Sequence, residues 1–142
     1  MELGVSGKVA VITGGATGIG RAIAEAFHQE GAQVVINGRT QEKLDKACAE
    51  IGDRAHGVVA DLLQPEGAQT LAEFARGIGP VDFLVNNIGI FDVNDFFEVS
   101  DERWLEYFQH NILTAVRITR LLMKDMLDAD AGSICFISSE AA

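Results

Sequence analysis

Short β-branched runs alternate with longer stretches of helical period along this chain. The runs are Lys8-Val-Ala-Val-Ile-Thr13, Gln33-Val-Val-Ile-Asn37, Ala55-His-Gly-Val-Val59, Val81-Asp-Phe-Leu-Val85 and Ser133-Ile-Cys-Phe-Ile137. Several are apolar at successive positions rather than at every second one, which predicts strands buried on both faces. The spacing between them predicts helices. The first runs from Gly18 to Glu30, with Ile19, Ala22, Ile23, Ala26 and Phe27 on its inner stripe and Gly31 placed to end it. Thr40 is placed to cap a second helix that turns Leu44, Ala47, Cys48 and Ile51 inward. Pro65 opens a third, with Leu71, Phe74 and Ala75 inward. Ser100, followed by Asp101 and Glu102, opens a fourth and long one, in which Trp104, Phe108, Ile112, Ala115, Ile118, Leu122 and Met126 recur at helical spacing. Strand–helix alternation of this kind predicts an α/β fold: one parallel sheet with right-handed crossovers. With no repeat and no linker visible, residues 1–142 read as a single domain.

Composition narrows the classes of partner. The chain has 11 Lys and Arg against 21 Asp and Glu, a formal net charge of −10. Nucleic acid is held mainly by basic side chains, so it is not an expected partner. No apolar run approaches the ~20 residues that span a bilayer. The N-terminus lacks the basic, apolar and cleavage-site pattern of a secretory signal. Cys48 and Cys135 are too few for a disulfide framework or a zinc cluster, and read as reduced core or near-core thiols of a cytoplasmic protein. Asp92, Asp95 and Glu98 lack the spacing of a calcium loop and read as a solvated segment, so no metal site is expected.

The chemistry begins at Thr13-Gly14-Gly15-Ala16-Thr17-Gly18-Ile19-Gly20, which follows the first strand and opens the first helix. Gly14 permits a tight turn, Gly18 permits close approach of a pyrophosphate, and Gly20 permits close packing of the helix. The helix N-terminus, from Thr17 through Ile19, then offers free N–H groups and partial positive charge to phosphates. At the end of the second strand, where an acidic residue would bind a ribose 2′-hydroxyl, the chain has Gly38 and then Arg39. An arginine suits the 2′-phosphate of NADP(H), which is therefore favoured over NAD(H). Asp61 reads either as a capping residue before Pro65 or as part of a ligand site.

The spacing T-G-x-x-x-G-x-G resembles that of the short-chain dehydrogenase/reductase family. The resemblance continues through Asn86-Asn87-Ile88-Gly89, Asn111 and the second serine of Ile137-Ser-Ser139. It implies a Rossmann-like doubly wound sheet of strand order 3-2-1-4-5 and hydride transfer between a nicotinamide cofactor and a small carbonyl or alcohol substrate. It implies that the Asp61 side chain and Leu62 backbone hold the adenine, and that Asn87 and Gly89 touch the cofactor ribose and tie neighbouring strands. It further implies that Asn111 sits at a helix distortion and holds a water of a proton relay, and that Ser139 hydrogen-bonds the substrate carbonyl. Ile88 departs from the family's alanine and narrows the cleft floor. His110, next to Asn111, has no visible base-orienting partner and reads as structural. The family's Tyr and Lys pair would follow Ser139 and does not occur before Ala142. The chain is therefore expected to be the N-terminal part of a longer enzyme that works as a homodimer or homotetramer, with its last strands absent here. Two other classes share such a glycine turn: a nucleotide-binding module without catalysis, and a methyltransferase, in which the motifs at Asn86 and Ser139 have no role.

Overall fold

Alternate residues of the first strand feed two different cores. Val9 and Val11 join one apolar cluster, with Leu71, Leu84, Ile118 and Leu122; Ala10 and Ile12 join the other, with Ala24, Ile36, Leu44 and Val85. All four strand residues are buried. The computed structural model, which describes residues 2–140, thus has one sheet covered on both faces. The strands are β1 (Val9–Ile12), β2 (Gln33–Gly38), β3 (Ala55–Val59), β4 (Val81–Asn86) and β5 (Ser133–Phe136). Neighbours are parallel throughout and the order is β3-β2-β1-β4-β5. Helices α1 (Gly18–Gln29) and α2 (Gln41–Ile51) supply one core; α3 (Pro65–Ile78) and α5 (Thr114–Ala129) supply the other. A register irregularity separates Val9 and Ala10 on the β4 side, and the Asp82 carboxylate accepts the Val9 N–H there at 3.0 Å.

Several expectations change. In α1 the fully buried contacts are Gly20 and Ala24; Ile23 and Phe27 pack half-buried against the same core as expected, while Ile19, Ala22 and Ala26 are exposed. The smallest side chains let the helix axis lie close to the turn beneath it, and that contact sets its rotation. Thr40 occupies the N-cap position of α2 but its side chain makes no capping bond. Ser100 does cap α4 (Asp101–Phe108), accepting the Arg103 N–H at 3.1 Å. The long fourth helix is not continuous. A π-helical segment, Gln109–Leu113, separates α4 from α5. Only the second half of its apolar stripe is core: Ile118, Leu122 and Met126 are buried, whereas Trp104, Phe108 and Ile112 are exposed. Helical spacing shows which residues share a face, not whether a neighbour covers it. Cys48 is half-buried and Cys135, on the outer strand, is exposed rather than near-core.

Candidate cofactor cleft

The carboxyl ends of β1 to β4 meet where the strand order reverses, and a cleft of about 720 Å³ opens there. Its walls come from Gly14, Ala16 and Thr17 after β1, Asn37 to Thr40 and Lys43 after β2, and Ala60 to Leu63 after β3. Asn87 to Ile90 after β4 complete it, together with His110 and Thr114. No side chain caps the first turn of α1, so its N–H groups face the glycine turn without a side-chain acceptor.

The glycines of the turn serve different needs. Gly18 has φ +56°, and a Cβ there would meet nothing within 4 Å, so the backbone is open to approach from outside. A Cβ on Gly20 would lie 2.4 Å from Asn87 Nδ2 and 2.6 Å from the Gly14 carbonyl oxygen, so this position is closed by packing. Gly15 is closed as well: Ile36 Cγ2 would be 2.4 Å from its Cβ.

Buried polar side chains lace the strand ends together. The Thr13 hydroxyl accepts N–H groups of Asn87 at 2.9 Å and Ile88 at 3.3 Å. Asn87 Nδ2 donates to the Thr13 carbonyl at 3.1 Å. Asn37, which is 2% exposed, accepts the Gly14 N–H at 3.0 Å and donates to the Ala60 carbonyl at 2.8 Å. One amide thereby fixes the glycine turn to the exit of β3. Asn37 does not stand out in sequence, since a polar residue ending an apolar strand carries no signal of its partners.

The remaining walls are held in the same way. Asp61 Oδ1 accepts the Leu63 N–H at 3.0 Å, and its backbone oxygen lies 1.9 Å from where a Cβ on Gly67 would fall. Arg117, from α5, donates Nη1 to the Leu62 carbonyl at 2.8 Å. Asn111 lies in the π segment and uses both ends of its amide on one residue: Oδ1 accepts the Ile90 N–H at 2.7 Å and Nδ2 donates to the Ile90 carbonyl at 3.1 Å. A Cβ on Gly89 would sit 2.9 Å from Asn111 Oδ1, so glycine is what allows that clasp. Past Ile90, Asp92 pairs with Arg103 and the Tyr107 hydroxyl, and these two hold its carboxyl below the usual carboxylate range, Tyr107 foremost.

Charge is unevenly spent. Arg21, Arg54, Arg76 and Arg103 each pair with a carboxylate, whereas Arg39 and Lys43, both on the cleft wall, form no salt bridge among the described residues. Lys43 was not singled out in the sequence, because its place on the first turn of α2 becomes meaningful only beside Arg39. Of the residues named from sequence, the cleft gathers Gly14, Thr17, Arg39, Asp61, Leu62, Asn87 and Gly89. Gly18, Ile19 and Gly20 form the first turn of α1 beside it; Ile19 points outward, 64% exposed. Asn111 reaches the wall through Ile90. Ser139 lies beyond the end of β5, is exposed, and does not line the cleft.

A parallel sheet of this order, wound on both faces, with a glycine turn and an open crevice at its switch point, defines a Rossmann-like α/β domain. The chain belongs to the short chain dehydrogenase family, whose family model matches residues 8–142. It is 43% identical over 143 residues to the oxidoreductase YvrD of Bacillus subtilis, covering 99% of this chain and 54% of that protein. It is 32% identical over 136 residues to the 3-oxoacyl-[acyl-carrier-protein] reductase FabG of Haemophilus influenzae, covering 95% of this chain and 56% of that one. L-sorbose reductase from Gluconobacter frateurii, solved with NADPH and L-sorbose, superimposes with a TM-score of 0.92 at 39% identity, over 99% of this chain and 55% of the reductase. The chain spans about half the length of the curated relatives it matches.

Proposed function

We propose that this chain forms the nucleotide-binding half of an NADP(H)-dependent oxidoreductase acting on a small carbonyl or alcohol substrate. The observation that carries the reading is the cleft itself: an open glycine backbone at Gly18 at one side and, at the other, two cations, Arg39 and Lys43, that form no salt bridge among the described residues. These features fit a dinucleotide carrying a pyrophosphate and a further phosphate. The α1 N-terminus and the turn from Gly14 to Gly20 bind the pyrophosphate. Arg39 pairs with the 2′-phosphate as a charge-assisted fork. Asp61 and Leu62 face the adenine, and Asn87 and Gly89 border the ribose. The bound cofactor supplies the hydride, and the protein orients it. Asn111 fixes the Ile90 main chain, and Ser139 donates to the substrate oxygen as negative charge develops on it. The NADPH complex of the sorbose reductase supports the cofactor assignment by likeness.

The free thiols of Cys48 and Cys135 accord with a cytoplasmic setting. The exposed apolar face of Trp104, Leu105, Phe108 and Ile112 is the surface we assign to self-association as a dimer or tetramer. Titration with NADPH and NADH, followed by nucleotide fluorescence, tests the cofactor reading. NADPH is expected to bind more tightly, and Arg39→Ala to weaken NADPH about tenfold or more while leaving NADH nearly unchanged. Equal loss for both nucleotides would remove the 2′-phosphate assignment.

A further inference from the structure

His110 is the titratable side chain on the cleft wall that the proposed function leaves without a task. Its Nδ1 lies 2.9 Å from the Glu106 carbonyl oxygen, one helical turn back. A carbonyl can only accept, so Nδ1 carries the proton, and Nε2 of the neutral ring is left as an acceptor. Thr114 Oγ1 donates to the His110 carbonyl at 2.6 Å, which further fixes this residue within the π segment. The ring is half-buried, and no hydrogen bond to Nε2 is formed by the described residues.

The same cleft holds a second acceptor with spare capacity. Asp61 spends Oδ1 on the Leu63 N–H and keeps its other oxygen. The two cations, Arg39 and Lys43, line the wall that follows β2, whereas Asp61 and His110 place side-chain acceptors on the wall after β3 and in the π segment. A purine exocyclic amine carries two N–H groups, and each needs an acceptor once withdrawn from water. Two acceptors stand against two donors.

We propose that His110 Nε2 accepts a hydrogen bond from the exocyclic amine of the cofactor's adenine, making His110 a second determinant of base specificity beside Asp61. The inference rests on the dinucleotide reading above. The test compares NADPH with its hypoxanthine counterpart, in which the amine is replaced by an oxo group, on the complete chain. Binding is measured for the wild type, His110→Phe, which keeps a ring without the acceptor, and His110→Gln, which restores an amide oxygen. The wild type is expected to prefer the adenine form. His110→Phe should shrink that preference by about threefold to tenfold, and His110→Gln should recover part of it. A preference unchanged in His110→Phe would overturn the assignment. So would equal weakening of both nucleotides, which marks simple ring packing. If the wild type binds neither nucleotide, the cofactor reading itself fails, an outcome distinct from either of these.

Discussion

The cleft floor and the segment that follows it use the same kinds of polar bond at different depths. At the floor, Thr13, Asn37 and Asn86 are buried, and the bonds of Thr13 and Asn37 join main-chain groups that are buried or part-buried. Between Ile90 and Tyr107, Asp92, Asn94, Arg103 and Tyr107 pair with one another in solvent. Removing a partner at the floor leaves a main-chain donor or acceptor dry, whereas removing one in the outer cluster lets water replace it. Depth, more than the number of bonds, separates the part of the molecule that specifies the cleft from the part free to vary around it.

Mutations can break that contrast, and the largest effect belongs to a glycine. Gly67→Ala pushes a methyl into the Asp61 main chain, where no flexible side chain can yield. Chemical denaturation should show a loss of about 3 kcal/mol or more, with nucleotide binding lost in parallel. Asn37→Ala comes next: it strands the Gly14 N–H and the Ala60 carbonyl, for an expected loss of about 1–3 kcal/mol in the same measurement. Gly18→Ala meets no atom, so its cost is the left-handed backbone alone, about 1 kcal/mol. Its effect on nucleotide affinity should exceed its effect on stability, because in the cofactor placement proposed above the added methyl stands where the pyrophosphate approaches. An affinity loss no larger than the stability loss would count against that placement.

Asp92→Asn should be the mildest. Its carboxyl is held low by Tyr107 and Arg103, so the charged form is favoured by folding. That contribution is present above the ordinary carboxylate pKa of about 3.9 and fades as pH falls through the lower native value. Thermal melts of wild type and Asp92→Asn should therefore differ slightly at neutral pH and converge in acid. A gap that widens in acid would show that the Asp92 pairing is not what separates them.

The strands, their burial and the glycine turn were legible because each rests on local chemistry. Apolar runs such as Val34-Val-Ile36 can be nothing but interior, and Gly14 and Gly18 do adopt left-handed conformations, at φ +63° and +56°. The bonds of Asn37 were not legible, since its partners, Gly14 and Ala60, lie 23 residues away on either side. Periodicity also could not report the π segment: the stripe from Trp104 to Met126 continues through it without a gap, and only family resemblance placed a distortion at Asn111. The inner stripe of α1 is legible only in part: Ile23 and Phe27 pack against the core, but pattern reading gives no weight to Gly20, which with Ala24 makes the buried contact.

Arg117 gives the cleft wall a mechanical link to α5, which packs in the same core as Leu62. Its guanidinium crosses from α5 to the main chain at Leu62, so that stretch of wall cannot shift independently of the helix. A displacement of α5 therefore bears directly, through one side chain, on the Leu62 main chain at the rim of the cleft.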